Sequence, residues 1–312
     1  MEDKYSKALL SLKKNGWGII PEFCDDKICL GIKESLTNTS VPVNLNRPIA
    51  TFIGKTKFNT NVLACSKDAV DVVLSQKLRD LCTEYLGEEP ILKCVRSYTI
   101  NKKSPLFTWH ADNVNPLTFE SDQSKGINFI LYLDDDIKEK TFWVAENIFN
   151  DNSRITPSPT PDELLKWKNE NRIVKVIAQR GDIVIFRQDI FHQHVAREID
   201  KLDALWFQMV DKSFALNEKI IIDPSYLPLD NKVLEFLGTG RENIEISNPV
   251  SQVYNLTTSQ LIKIGIYCFA FIPASIFITL GKRVDKILFS KLGIDLIRFR
   301  KFFRKQVHRL VK

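Results

Sequence analysis

Between Ile91 and Val210 the apolar residues fall into short runs, ILKCVRSYTI, INFILYL, IVKVIAQ, DIVIF and ALWFQMV, each rich in β-branched or aromatic side chains and bounded by turn-forming residues. Runs of this length and composition predict strands, and their succession predicts a β-sandwich or barrel. The N-terminal part is patterned differently. SKALLSLKKN reads as a short helix, GWGIIP as a strand, and a second helix begins near Asp25 and Asp26. SKDAVDVVLSQKLRDLCTEYLG predicts one further helix, stopped by Gly87 and Pro90. The expected fold is mainly β with flanking helices.

One segment breaks the run of strands, NDNSRITPSPTPDELLKWKNENR. Its prolines make a loop, and the loop is long enough to be either functional or a solvated excursion. At its end Thr160 is placed to cap a short helix, with Pro161 in the first turn and Glu163 completing a capping box.

Composition changes this picture at two points. Hydrophobic residues at 44% and charged residues at 26% fit a folded globular chain of 312 residues. The net charge of +6 is unevenly spread: residues 282–312 hold eleven Lys or Arg against Asp285 and Asp295, a net of +9, so residues 1–281 carry −3. Six cysteines contain no CxxC pair, and MEDKYSKALLSLKK lacks the apolar core of a secretory signal. A reduced, cytoplasmic protein is expected, with Cys24 and Cys29 as half-buried thiols rather than a metal pair.

The chemistry is carried by histidine, of which the chain has four. His110 and Asp112 lie two apart in TWHADN, so an extended backbone projects both to one face. Downstream, RGDIVIFRQDIFHQHV turns at Arg180-Gly181-Asp182, runs through a buried strand, and sets His192 and His194 on one face of the next. Two imidazoles and one carboxylate on a single face of a metal make the triad that suits non-heme Fe(II) and leaves positions open.

In LKKNGWGIIPEFCDDKICLGIKESL, TWHADN and RGDIVIFRQDIFH, in that order over residues 8–210, the sequence resembles the phytanoyl-CoA dioxygenase group of Fe(II)/2-oxoglutarate-dependent oxygenases. The resemblance implies a double-stranded β-helix of the jelly-roll or cupin-like kind, with iron held by His110, Asp112 and a distal histidine. The spacing in that group selects His192, ten residues after Asp182, with His194 as the alternative. It also implies Fe(II), 2-oxoglutarate and dioxygen as cofactor and cosubstrates, with ascorbate as an optional addition. Because Asp112 supplies the carboxylate, hydroxylation is expected over halogenation.

Two departures bear on the cosubstrate and the substrate. The arginine that the group uses for the distal carboxylate of 2-oxoglutarate falls at Asp203, eleven residues after His192. Lys201, Arg197 and Lys125 are the candidates to replace it, and Arg96, Tyr98 and Asn128 on neighbouring predicted strands are candidates to line the pocket. A Gly-Ser-His stretch common in the group is replaced by FWVAENIFNDNSR, so the substrate does not carry over. Two other readings stay open, a non-catalytic β-helix binding module recruited to membranes and a cupin-like metalloenzyme that does not use 2-oxoglutarate.

Beyond an oxygenase domain over residues 1–240, residues 241–312 are expected to be helical and membrane-associating. Ile264–Gly281 is eighteen residues without a charge, about 27 Å as a helix, close to the thickness of a bilayer core. Then Leu288, Leu292, Leu296, Phe299, Phe303, Val307 and Leu310 recur at helical spacing with Lys and Arg between them. An apolar stripe beside a basic one suits an anionic membrane surface rather than nucleic acid. Pro273, inside the uncharged run, favours a broken helix that dips into one leaflet. A full span would set the basic tail and the iron domain on opposite sides of the membrane. The expected location is cytoplasmic, peripherally or monotopically membrane-associated, and the expected substrate is a small or lipid-like molecule.

Overall fold

The apolar alternation closes into two facing sheets. The computed structural model describes residues 3–39, 57–59, 62–101, 109–113, 125–134, 141–150, 158–195, 201–213, 220–226, 230–237 and 244–246. In chain order they form α1 (Lys4–Asn15), β1 (Trp17–Ile20), α2 (Asp26–Thr39), β2 (Lys57–Asn59), α3 (Val62–Cys65), α4 (Lys67–Val73), α5 (Gln76–Leu86), β3 (Ile91–Asn101), β4 (Gly126–Tyr132), β5 (Thr141–Phe149), α6 (Pro161–Asn169), β6 (Ile173–Val176), β7 (Ile183–Arg187), β8 (Ile190–Val195), β9 (Lys201–Val210), β10 (Ile220–Ile222), α7 (Asn231–Leu237) and β11 (Ile244–Ile246). A six-stranded sheet has the order β1-β7-β4-β9-β3-β2, and a three-stranded sheet has the order β6-β5-β8; all their pairings are antiparallel.

The larger sheet is buried on both faces, which explains why β4 and β7 read as continuous apolar runs rather than alternating ones. One face, carrying Ile127, Phe129, Leu131, Ile183, Ile185, Leu205, Phe207 and Met209, packs under the helices with Leu9, Leu12, Ile32, Val70, Leu78 and Leu81. The opposite face, carrying Ile130, Tyr132, Val184, Phe186, Leu202 and Ala204, meets Phe142, Val144, Val176 and Ile190 between the sheets. A β-bulge between Leu92 and Cys94 resets β3, so that Leu92 and Val95 belong to the helix side and Arg96, directly opposite Trp206, to the space between the sheets.

Local chemistry sets the elements. Thr160 accepts from the Glu163 N–H at 3.2 Å while the Glu163 carboxylate accepts from the Thr160 N–H at 2.8 Å, the expected capping box of α6. Gly181 has φ +83°, and a Cβ there would stand 2.2 Å from the Cys24 carbonyl oxygen, so only glycine makes the turn that feeds β7. Its own carbonyl accepts from the N–H groups of Phe23 and Cys24 at 2.8 and 3.0 Å.

Two expectations are corrected. The single helix expected over residues 66–87 is two, α4 and α5, because Ser75 adopts extended ψ (120°) between them; Ser66 caps the first by accepting from Ala69, and Gly87 ends the second in the left-handed region. Strand β5 was not expected at all. Its run TFWVAENIF is interrupted by Asn147 at φ +56°, and its register to β8 shifts between Val144 and Phe149. The uncharged run 264–281 and the basic stripe lie outside the described residues, as does Arg197. No helix among the described residues is long and apolar enough to cross a membrane.

Candidate metal centre

His192 stands on β8 of the smaller sheet, and the chain at His110 is joined to it by a single antiparallel bridge. Each residue's N–H donates to the other's carbonyl at 2.9 Å. Two residues on, the Asp112 N–H donates to the Gln188 carbonyl at 2.7 Å, which fixes the carboxylate over the β7–β8 turn. The residues between and beside them, Ala111 and Phe191, pack on the other side of this sheet with Ala145 and with Trp167 of α6. Trp167 is 5% exposed, and its ring centroid lies 5.0 Å from that of Phe191. The proline-rich interruption therefore returns as a helix that seals the back of the site.

On the inner side the donor atoms of His110, Asp112 and His192 all lie within 4.8 Å of one another. His110 Nε2 is 3.5 Å from Asp112 Oδ1, and His192 Nε2 is 3.7 Å from Asp112 Oδ2, so each carboxylate oxygen addresses one imidazole. Ligands at neighbouring corners of an octahedral ion, bound at about 2.1 Å, lie about 3 Å apart. The two nitrogen-to-carboxylate distances are each within 1 Å of that spacing. The set is buried at one end and open at the other: the His192 side chain is 5% exposed, against 27% for His110 and 24% for Asp112.

The surroundings of His192 suit a metal ligand. Its Nδ1 lies 3.0 Å from the Ile190 carbonyl, which can only accept, so the proton sits on Nδ1 and the lone pair on Nε2. Burial above all, and then the neighbouring His110, pushes its pKa down to about 4, which keeps the imidazole neutral at physiological pH. Two residues on, His194 shares the same strand face. It packs on Phe142 with ring centroids 4.9 Å apart, and burial, then His192 and His110, lower its pKa to about 3. His194 does not share the donor cluster of the other three residues.

Asn128 on β4 is fully buried, and its Nδ2 donates to Asp112 Oδ2 at 3.1 Å. Its Oδ1 has no hydrogen-bond partner among the described residues. Asn128 pairs in register with Gln208 of β9, whose Nε2 donates to Gln188 Oε1 at 2.8 Å. These buried carboxamides form a polar floor beside Asp112. Gln188, Gln208 and Trp206 were not anticipated; the signal was available in ALWFQMV, where one glutamine interrupts an apolar strand.

The other anticipated residues are dispersed. Arg96 is 3% exposed, with its guanidinium carbon 4.3 Å from the centroid of the Trp206 ring. Tyr98 occupies the register position opposite Ala204, and Lys201 begins β9 opposite Asn101. Lys125 is exposed at the start of β4, its N–H donating to Asp211 at 2.8 Å. Asp203 faces the helices: it accepts from Thr99 Oγ1, lies 3.6 Å from Lys33 of α2, and its N–H donates to Asp134 at 2.6 Å.

No protein-family model and no curated protein matches the sequence. Solved structures do match the fold. HygX from Streptomyces hygroscopicus with nickel, 2-oxoglutarate and hygromycin B bound superposes with a TM-score of 0.51 at 12% identity, covering 68% of this chain and 90% of that one. The same protein with iron bound gives 0.50 at 14%, covering 68% and 89%. EctD from S. alaskensis with 2-oxoglutarate and 5-hydroxyectoine gives 0.50 at 14%, covering 67% and 77%. The chain has the double-stranded β-helix fold.

Proposed function

We propose that this protein is an Fe(II)/2-oxoglutarate-dependent oxygenase, similar to the phytanoyl-CoA dioxygenase group, which hydroxylates a small or amphiphilic molecule. The observation that carries the reading is the convergence of His110, Asp112 and His192 within 4.8 Å on the inner side of the smaller sheet. Two nitrogens and one carboxylate are the donor set that suits non-heme Fe(II). That solved structures of this fold hold nickel or iron and 2-oxoglutarate, one of them with hygromycin B, supports both the cofactor and a small-molecule substrate. When bound, the metal and cosubstrate supply the oxidising chemistry: dioxygen is consumed, 2-oxoglutarate is decarboxylated to succinate, and the substrate is oxidised.

The chain's own residues hold, orient and shield. His110, Asp112 and His192 would hold the ion, and the Ile190 carbonyl keeps the His192 proton away from it. Asn128 aims one Asp112 oxygen, leaving the other toward His110. Phe142 and Phe186 lie 5.4 and 4.7 Å from the His192 ring and exclude water from the buried side. The more exposed His110 and Asp112 mark the side on which substrate arrives. The uncharged run 264–281 and the basic stripe after it support a second element of the proposal, that the protein meets its substrate at an anionic membrane surface on the cytoplasmic side.

The test is succinate formation. Purified protein with Fe(II), dioxygen and 2-oxoglutarate should release succinate slowly without substrate and faster with it. Metal-loaded protein that binds no 2-oxoglutarate and forms no succinate would instead favour a binding module or a metalloenzyme of another kind.

A further inference from the structure

We propose that Asn113 and Asn150 are positioning residues, a buried carboxamide clasp that sets the Asp112 side chain for the ion; the inference deepens the metal-centre reading above and rests on it. The bonds along the ligand segment carry it. His110 is held to His192 by its backbone, and the Asp112 N–H donates to the Gln188 carbonyl, so both of these holds act at or before Asp112. The hold after Asp112 comes from the next side chain. Asn113 Nδ2 donates to the Asn150 carbonyl at 2.7 Å, and Asn113 Oδ1 accepts from Asn150 Nδ2 at 3.0 Å. A carboxamide offers a donor and an acceptor side by side, so the two bonds close as a ring. Each residue is only 2% exposed.

Asn150 is delivered to this place by the irregularity in β5. Val144 pairs with His192 and Phe149 with Ile190, so β5 takes five steps where β8 takes two. The extra residues pass through Asn147 at φ +56°, in the left-handed region, and the strand returns with the Asn150 N–H donating to the Asp189 carbonyl at 2.6 Å. Asp189 is itself held: Arg187 reaches its carboxylate through two bonds of 2.9 and 2.6 Å and lies over the Phe149 ring at 3.8 Å. A closed circuit therefore runs from Asp112 through Gln188, Asp189, Asn150 and Asn113 back to Asp112. Asn150 Oδ1 is buried and has no hydrogen-bond partner among the described residues, so within them the carboxamide is oriented by Asn113. Irregularities of this kind re-aim side chains beside functional sites, and groups that orient a metal ligand govern the affinity for the ion.

The experiment uses the full chain and two metals in place of iron, Mn(II) for affinity and Co(II) for the visible spectrum of its ligand field, at a temperature where each variant is folded. Asn113→Ala and Asn150→Ala should each weaken Mn(II) binding by about tenfold or more and shift the Co(II) bands. The double variant should lose no more than either single one, because a clasp opens only once. Val233→Ala, on α7 in the core under the helices, is the control for lost stability alone and should leave affinity and spectrum unchanged. Asn150→Ser, which keeps a polar group but loses the reach to Asn113, serves if an alanine variant does not fold. Unchanged affinity and spectrum in the clasp variants, losses that add in the double variant, or an equal loss in Val233→Ala overturns the clasp and leaves the metal centre standing. Wild-type protein that binds neither metal defeats the metal-centre reading itself.

Discussion

His110 and His192 are held together by their backbones before any metal is involved: two N–H to carbonyl bonds of 2.9 Å join them, and their rings face each other with centroids 4.4 Å apart. The pair is therefore built by backbone pairing across the fold.

From that arrangement His110→Ala, Asp112→Ala and His192→Ala are each expected to abolish Fe(II)-dependent succinate formation and to weaken Mn(II) binding by orders of magnitude, because two remaining ligands do not fix the ion. His194→Ala should retain most of the metal affinity. Calorimetric Mn(II) titration separates these outcomes. Strong binding by the His192 variant together with loss in the His194 variant would reassign the distal ligand.

Asn128→Ala removes the carboxamide that aims Asp112, and metal affinity should fall about 10- to 100-fold, as it does when groups orienting a metal ligand are lost. Gln208→Ala deletes a buried carboxamide one strand away that makes no contact with Asp112, and should lower stability with little effect on Mn(II) affinity. Equal losses of affinity in the two variants would mean that the polar floor acts as a unit.

Most strands and the candidate metal-binding residues were legible in the sequence for local reasons. Short runs rich in β-branched and aromatic residues mark β3, β4, β7 and β9; Gly181 is required by its turn; the Thr160–Glu163 box declares α6. What was not legible depends on partners distant in sequence. Strand β5 is hidden because Ala145-Glu146-Asn147 breaks the alternation, and only pairing to β6 and β8 holds it extended. The split between α4 and α5 is hidden because apolar spacing continues across Ser75. His192 and His194 share a face, so parity alone cannot choose between them; the choice needs the position of Asp112. Arg96 and Trp206 become neighbours only through the order of strands in the sheet.

Trp167 tests whether the proline-rich excursion supports the site. Trp167→Ala should cost about 3 kcal/mol or more and should also weaken Mn(II) binding, because Phe191 and Ala111 lose the surface that backs the two ligand segments. Leu165→Ala, on the same helix but 59% exposed, should change stability by less than about 0.5 kcal/mol. Denaturant unfolding with a parallel metal titration reads both. Unchanged metal affinity in a destabilised Trp167 variant would make α6 a cover and nothing more.

The thiols give a pH prediction. Burial first, then Cys29, pushes Cys24 up to about 12, and burial pushes Cys29 up to about 11, against an ordinary thiol at 9.0. Both groups stay protonated in the folded protein while the unfolded chain ionises above pH 9, so their contribution to stability is complete below pH 9 and is lost as pH rises from 9 through about 12. At pH 8 the folded protein should resist iodoacetamide at both positions and react after unfolding. Rapid alkylation of either thiol in the folded state would show that the segment opens locally.

The tail can be tested apart from the metal site. The donor residues and both sheets of the barrel lie before residue 211, and β11, which pairs in parallel with β10, ends at Ile246. Truncation after Asn248 therefore keeps every described element, and the shortened protein should fold, bind Mn(II) and form succinate from 2-oxoglutarate without substrate. It should no longer bind vesicles rich in anionic lipid. The full chain should bind them, and salt should weaken that binding only in part, because it screens the eleven Lys and Arg of 282–312 but not the uncharged run 264–281. Binding abolished by salt would leave the basic stripe as the sole contact, and a full chain that ignores such vesicles would remove the membrane from the proposal. If the truncated protein keeps its succinate background but loses turnover on a bilayer-resident substrate, the tail delivers the oxygenase to its substrate and takes no part in its chemistry.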